Sequence, residues 1–168
     1  LPACQPGRTG CGAAVDLGTT TVVVRLYDLA SGAELATGSG WNAQAPYGAD
    51  VISRIQHTME ASDGLGELSR CIRAQTETLL RQTLSAAGRK TEEVKELIIA
   101  GNTVMQHLFD GREVASIARA PFQPETLFED GTGELLSGIP VQFAPCVAGY
   151  VDHGRKCPAD TGRRCFAG

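Results

Sequence analysis

Apolar residues cluster in three short segments near the start of the chain, in the manner of β-strands. The segments cover residues 14–17, 20–29 and 34–41 and are rich in Val, Leu and Thr. Gly18 separates the first two, and Ser31-Gly32 precedes the third. Because β-branched residues favour strands and glycine favours turns, we predict two antiparallel strands joined by a tight turn, with a third strand after them.

The spacing of apolar residues changes to that of helices from residue 50 onward. Apolar residues at positions 51, 52, 55 and 59 share one face of a short helix that begins near Asp50. A longer stripe with a period of about 3.6 residues runs from position 65 to position 87, where Gly88 is suited to end a helix. The pattern therefore predicts two consecutive helices after the three strands.

The second half of the chain predicts two more strands and one more helix. The continuous apolar run at 96–100 indicates a buried strand, and Asn102 is placed to cap a helix that ends near Gly111. After a loop marked by Pro121 and Pro124, residues 140–144 predict a last strand. The order β-β-β-α-α-β-α-loop-β gives an α/β fold, a mixed sheet with helices packed on it, typical of a ribonuclease-H-like lobe.

Length and charge narrow the classes of function. The 168 residues are 42% hydrophobic, enough for one sizeable core, so one domain is the expectation. The net charge of −4 argues against partners such as nucleic acid or an anionic membrane, which attract basic proteins. No apolar run approaches the roughly 20 residues that span a bilayer, and the first residues lack the pattern of a signal peptide. We therefore predict a soluble, cytoplasmic protein.

Composition divides the chain into three parts. Residues 1–12 are rich in Pro, Gly and Cys and are interpreted as the remnant of a linker. Residues 13–151 form the predicted lobe. Residues 152–168 are basic and aperiodic, and we interpret them as an aberrant, disordered tail, from a premature end, a shifted reading frame or a natural disordered extension.

The six cysteines are too sparse for a disulfide-stapled module and are predicted to be mostly reduced. Cys4 and Cys11 lack the spacing of iron–sulfur ligands. A zinc site in the tail is a minor alternative, because its metal-ligand residue types lack paired spacing; they are Cys146, His153, Cys157 and Cys165. His57 and His107 are interpreted as surface or boundary residues of helices.

The turn after the first strand carries the strongest indication of chemistry. Asp16 ends an apolar strand, Gly18 opens the turn, and Thr19, Thr20 and Thr21 follow. Glycine lets a phosphate approach the backbone, successive N–H groups can converge on its oxygens, and a carboxylate can hold Mg²⁺ through water. The alternative is an ordinary hairpin turn with a surface aspartate. The position of the acid inside an apolar strand favours the interpretation as a phosphate-binding turn.

Five ordered segments resemble one known family. VDLGTTTVVV (15–24) is similar to the first phosphate loop of the superfamily of actin, sugar kinases and heat-shock ATPases. NAQAPYGADVISRI (42–55), AGNTVMQHL (100–108), APF (120–122) and PCVAGYV (145–151) are similar to segments of the ATP-dependent reductive activators of corrinoid proteins. Five matches in register are more specific than any single loop. The resemblance covers roughly residues 13–151.

The resemblance implies the first lobe of an actin-like ATPase domain that uses ATP and Mg²⁺. In that family the domain helps reduce the cobalt of a corrinoid protein partner to Co(I), and an upstream ferredoxin-like domain carries an iron–sulfur cluster. The phosphate site would comprise Asp16, Gly18, Thr19, Thr20 and Thr21, with Asp16 holding Mg²⁺ through water. Gly101 and Asn102 would lie at the mouth of the cleft. A plain helix cap is an equally good interpretation of Asn102.

Departures from the family leave other interpretations open. The family pattern stops after residue 151, and no second phosphate loop or adenine pocket is found, so we expect this chain to be inactive without a second lobe. The alternatives are a non-enzymatic lobe that docks a redox or corrinoid protein, and half of a sugar or acetate kinase. The sequence also leaves open whether the protein forms a homodimer. Segment 42–54 is interpreted as a structural turn and helix cap in preference to a partner-contacting or nucleotide-responsive loop, because the Asp50–Arg54 spacing explains both charges.

Overall fold

The computed structural model of the chain describes residues 6–128, 132–136 and 138–146. The described residues form a sheet of six strands in the order β3-β2-β1-β4-β6-β5. Strands β1, β4 and β6 are parallel, and β2, β3 and β5 are antiparallel to their neighbours. The strands are β1 (Cys11–Leu17), β2 (Thr21–Asp28), β3 (Glu34–Trp41), β4 (Val94–Gly101), β5 (Thr132–Leu136) and β6 (Ile139–Phe143).

Three α-helices accompany the sheet: α1 (Val51–Glu60), α2 (Gly64–Ala86) and α3 (Thr103–Asp110). The side chain of Asp50 accepts a hydrogen bond from the Ser53 amide and so caps α1. Gly111 ends α3 in the left-handed conformation, with a φ of 69° that glycine adopts without strain. Short 3-10 turns lie at Ala45–Tyr47, Thr91–Glu93 and Ala115–Ala118.

The core lies between one face of the sheet and the helices. Alternate residues of β1 are buried, as Ala13, Val15 and Leu17 show, whereas Asp16 on the opposite face is exposed. Helix α2 packs against β2 and β3, and also against α1 and α3. The strand alternation therefore places Asp16 on the face of the sheet opposite the buried core.

The predicted mixed sheet with helices packed on it is confirmed, with one strand added. Strand β5 was not predicted; it pairs antiparallel with β6 across a turn at Gly138, whose φ is 82°. Two glycines near its start had weakened the strand pattern. Strand β1 begins at Cys11, two residues before the predicted lobe. The tail at 152–168 lies outside the described residues.

The described residues contain no membrane-spanning helix and three free cysteine thiols. Within the described ranges, no helix is both long and apolar enough to cross a membrane. Cys11, Cys71 and Cys146 are free thiols, as predicted for these positions, and burial raises the pKa of all three. Cys4, Cys157 and Cys165 fall outside the described part of the chain.

Candidate functional site

The carboxyl ends of β1 and β4 meet at one edge of the sheet. These strands are parallel, and Leu17 is in register with Gly101. The turn from β1 to β2, which comprises Gly18, Thr19 and Thr20, therefore lies beside the start of α3. In open α/β sheets, ligands bind in crevices beyond such strand ends.

The carbonyl groups of this turn are held by the rest of the protein. Asn42 donates from Nδ2 to the Gly18 oxygen at 2.8 Å and from its backbone amide to the Thr20 oxygen at 2.8 Å. Arg54 donates from Nη2 to the Thr19 oxygen at 2.6 Å. Asn42 and Arg54 are 2% and 0% exposed, so the three oxygens are held by buried residues.

The backbone amides of the turn, unlike its carbonyl groups, form no hydrogen bond among the described turn and loop bonds of the backbone. Among the turn and loop hydrogen bonds of the described backbone, none has the amide of Gly18, Thr19 or Thr20 as its donor. A Cβ built on Gly18 would lie 2.5 Å from the Thr21 oxygen, so the tight path of the turn requires glycine. Gly101 is similarly constrained, because its Cβ would lie 2.9 Å from the Leu17 oxygen.

Asn102 caps α3, as one of its two interpretations predicted, and it also contacts the turn after β1. Its Oδ1 accepts a hydrogen bond from the Met105 amide at 3.0 Å and caps α3. Its Nδ2 donates to the Thr19 hydroxyl at 3.2 Å, across 83 residues of sequence. The cap of α3 and the turn after β1 are thus joined by one exposed side chain.

Asp16 lines an open cleft of about 430 Å³ on the sheet face opposite the buried core. The walls come from β1, β2, β4 and the residue after β6, and include Ala14, Val23, Arg25, Tyr27, Ile98, Ala100 and Ala144. The aspartate side chain is exposed, as are Thr20 and Thr21, whereas Thr19 is half-buried. The predicted residues are therefore together at one sheet edge, with the carboxylate at the cleft.

Arg54 is the site-forming residue that sequence reasoning missed. The interpretation that the Asp50–Arg54 spacing explains both charges is wrong, because Asp50 bonds to Ser53 and Arg54 points into the protein. The predicted apolar face of α1 is also partly wrong, since Ile52 and Met59 are 61% and 47% exposed. The available signal for the burial of Arg54 was its position in the sequence, directly before the apolar residue Ile55.

The two helical histidines, His57 and His107, differ in burial. His57 is half-buried and its Nε2 lies 2.8 Å from Glu67 Oε2, which confirms its prediction as a boundary residue. The prediction for His107 is wrong, because its ring is fully buried. Nδ1 of His107 lies 2.7 Å from the Thr103 oxygen, and burial lowers its pKa. The short, mostly apolar helix α3 is covered on nearly all sides, which its sequence did not reveal.

No metal-binding cluster occurs among the residues described. Groups of three or more His, Cys, Asp or Glu side chains placed for a metal ion are absent from that part of the chain. The Cys146 thiol is buried and donates to Gln106 Oε1 at 2.7 Å. The other residues of the predicted zinc alternative, His153, Cys157 and Cys165, lie outside the described part of the chain.

The fold is a ribonuclease-H-like lobe of the actin-like ATPase fold. It is defined by the strand order, by the parallel strands β1, β4 and β6, and by the helices packed on the sheet. The chain belongs to the family described as the RACo middle region, whose model matches residues 11–153. The resemblance to the reductive activators of corrinoid proteins is thereby confirmed.

Individual proteins and solved structures resemble this chain to different degrees. The corrinoid activation enzyme RamQ of Eubacterium limosum is 33% identical over 122 residues, which are 73% of this chain and 21% of that protein. A solved structure of a reductive activator for corrinoid, iron-sulfur protein has a TM-score of 0.78 and 36% identity over 88% of this chain and 24% of that one. The archaeal actin homologue Ta0583 gives a TM-score of 0.46 at 14% identity over 63% of this chain and 40% of that one. The chain thus spans about a quarter or less of the corrinoid-activating relatives.

Proposed function

We propose that this chain is the nucleotide-binding lobe of an ATP-dependent reductive activator that helps reduce the cobalt of a corrinoid protein to Co(I). The observation that carries the proposal is the turn of Gly18, Thr19 and Thr20, whose carbonyl oxygens are all held by Asn42 and Arg54. Oxygens that would repel a phosphate are thus engaged elsewhere. The amides of the same turn have no backbone acceptor among the described turn and loop bonds.

The residues present fit the phosphates of ATP. Gly18 allows close approach, and the hydroxyl groups of Thr19, Thr20 and Thr21 add neutral donors around the turn. Gly101 and Asn102 stand beside it at the start of α3, and the N-terminal end of a helix favours an anion. Seven residues thus form the proposed site: Asp16, Gly18, Thr19, Thr20, Thr21, Gly101 and Asn102.

Asp16 is the proposed magnesium residue. Its carboxylate is exposed at the cleft, on the strand that leads into the turn. An exposed carboxylate suits Mg²⁺ held through water, since Mg²⁺ prefers oxygen ligands and keeps much of its hydration shell. When bound, Mg²⁺ supplies charge neutralisation for the phosphates. Asp16 positions the hydrated ion, and the turn and α3 position the phosphates.

The names of the relatives support the proposed corrinoid role. RamQ is named as a corrinoid activation enzyme, and the solved relative as an activator for a corrinoid, iron-sulfur protein. In the proposed role, ATP favours one conformation of a two-lobed domain because its affinity differs between the two conformations. The second lobe and an upstream ferredoxin-like domain with an iron–sulfur cluster would be contributed by the rest of a longer, cytoplasmic protein.

The test is Asp16→Ala in the two-lobed protein, with Asp63→Ala as the matched control. Asp63 is an exposed aspartate that pairs with Arg70 at the start of α2, away from the cleft. We expect Asp16→Ala to weaken Mg-ATP binding about tenfold or more by calorimetry, as loss of a charge-assisted contact implies, and to abolish ATP-dependent corrinoid reduction. Asp63→Ala should bind and reduce normally.

Unchanged Mg-ATP affinity in Asp16→Ala would contradict the nucleotide site. Normal corrinoid activation without nucleotide would instead favour a lobe that only docks its partner. For the isolated chain, Trp41 offers a direct readout, because it is the one tryptophan of the sequence, is 79% exposed and is in register with Thr21. Nucleotide binding at the turn should change its fluorescence.

A further inference from the structure

Arg54 is a buried arginine without a carboxylate partner in the described part of the chain. Its side chain is 0% exposed, and it takes part in none of the ion pairs found there. Desolvating a charge costs free energy, so buried arginines are normally paired with an acid. Packing alone would be better served by an apolar residue of similar length.

The guanidinium group binds three separate segments of the chain. Nη2 donates to the Thr19 oxygen at 2.6 Å, and Nε donates to the Gly48 oxygen at 3.0 Å. Nη1 donates to Gln44 Oε1 at 3.1 Å and lies 3.1 Å from the sulfur of Met105 on α3. The side chain thus joins the turn after β1 to the loop before α1 and to α3.

The charge of Arg54 remains in place despite its burial. Desolvation lowers the pKa of the guanidinium, but an arginine side chain in a protein stays protonated at neutral pH. The atoms that accept its hydrogen bonds belong to neutral groups, and the carboxylate of Asp50, which caps α1, interacts with its charge more weakly than burial does. In a poorly solvated interior, such a charge acts over longer distances than it would in water.

We infer that Arg54 is a positioning residue for the nucleotide phosphates, an inference that rests on the proposed function. The guanidinium holds the Thr19 carbonyl away from the phosphate side of the turn, and its charge stabilises the anionic ligand from behind. Because the same group holds Gly48 and Gln44, nucleotide binding and the order of residues 44–48 are coupled, and such coupling is reciprocal. This gives the loop before α1 a nucleotide response.

Two substitutions in the two-lobed protein separate geometry from charge. Arg54→Met removes the charge and all the hydrogen bonds, and we expect Mg-ATP affinity to fall about tenfold or more, as loss of a hydrogen bond to a charged group implies. Arg54→Lys keeps the charge but lacks the planar fork that reaches several acceptors, and should bind with intermediate affinity. Calorimetry gives the affinities, and circular dichroism shows that each variant is folded.

A purely structural role is distinguished by Leu84→Ala. Leu84 is a buried residue of the last turn of α2, far along the chain from the turn after β1, and its loss should lower the melting temperature. At one fixed Mg-ATP concentration, close to the Kd of the unsubstituted protein, the rise in melting temperature should persist in Leu84→Ala and be largely lost in Arg54→Met. An equal rise in both variants would overturn the inference.

Hydrogen exchange of the unsubstituted protein gives a second test, which does not depend on Arg54→Met folding. Mg-ATP should slow amide exchange both at residues 18–20 and at residues 44–48. Protection at 18–20 without any at 44–48 would overturn the inference and leave the proposed function intact. Absence of Mg-ATP binding by the unsubstituted protein would overturn both.

Discussion

Asn42 donates from Nδ2 to the carbonyl oxygen of Gly18 at 2.8 Å. The backbone amide of Asn42 also donates to the Thr20 oxygen at 2.8 Å, so one residue holds both sides of the turn between β1 and β2. Asn42 follows directly after β3, the strand that pairs with β2. The conformation of the turn is therefore fixed by a residue from the third strand rather than by the turn alone.

Asn42→Ala should destabilise the chain by about 2 to 6 kcal/mol, because it leaves two buried or partly buried groups without partners at roughly 1 to 3 kcal/mol each. These are the Gly18 oxygen and the Gln44 amide, which donates to Asn42 Oδ1 at 2.9 Å. Urea denaturation measures the effect. The control is Thr78→Ala at an exposed position of α2, with an expected change within about 0.5 kcal/mol. Equal stabilities of the two variants would contradict the assigned role of Asn42.

Gly18→Ala and Gly40→Ala form a matched pair of substitutions near the same sheet edge. The new methyl group at Gly18 would lie 2.5 Å from the Thr21 oxygen, whereas at Gly40 the nearest atom, Gln75 Nε2, is 3.6 Å away. We expect Gly18→Ala to cost about 1 to 3 kcal/mol of unfolding free energy through the steric clash with that oxygen, and Gly40→Ala to be tolerated. Thermal and urea unfolding compare the two. A tolerated alanine at position 18 would show that the turn does not require glycine.

The order of elements was predictable because local signals agreed with the tertiary structure. Residues 34–41 form β3 as predicted, Asp50 and Asn102 cap helices as predicted, and Gly111 ends α3. Each of these features is indicated by sequence signals that lie within a few residues of one another. Strand β5 was missed because its pairing with β6 supplies what its glycine-containing sequence lacks.

The support of the turn was not predictable, because it depends on contacts between distant segments. The sequence placed Asp16 and the threonines near one another, but nothing local indicates that Arg54 bonds to Thr19 across 35 residues. The Asp50–Arg54 spacing suggested an ion pair, which the structure replaces with a helix cap and a buried guanidinium. His107 is a second example, since only the packing around α3 reveals its burial.

Asn102 permits its two roles to be separated. Asn102→Asp keeps an oxygen that can cap α3 but loses the donor to the Thr19 hydroxyl and adds a negative charge beside the proposed phosphate site. We expect unfolding free energy to change little and Mg-ATP affinity of the two-lobed protein to fall at least about tenfold. Asn102→Ala should lose about 1 kcal/mol of stability as the cap is removed. If Asn102→Asp binds Mg-ATP as the unsubstituted protein does, Asn102 is a helix cap alone.

His107 should make the chain less stable in mild acid. Burial lowers the pKa of the folded imidazole below its ordinary value near 6.5, while the bond from Nδ1 to the Thr103 oxygen acts more weakly in the opposite direction. As the pH falls through about 6.5, the unfolded chain therefore takes up a proton that the folded chain resists. Stability should decline over that interval, by at most about 1.4 kcal/mol per pH unit for one proton, and the contribution should level off below the folded pKa.

The measurement is urea denaturation between neutral pH and about pH 5, where the carboxylates remain largely ionised. His107→Gln cannot take up the proton, so its unfolding free energy should fall less over this interval than that of the unsubstituted chain. The variant is expected to be less stable at neutral pH, because the ring also packs edge-on against Phe128 with centroids 5.0 Å apart. The decisive quantity is the slope with pH rather than the absolute stability. Parallel slopes for the two proteins would show that His107 is protonated as readily in the folded chain as in the unfolded one.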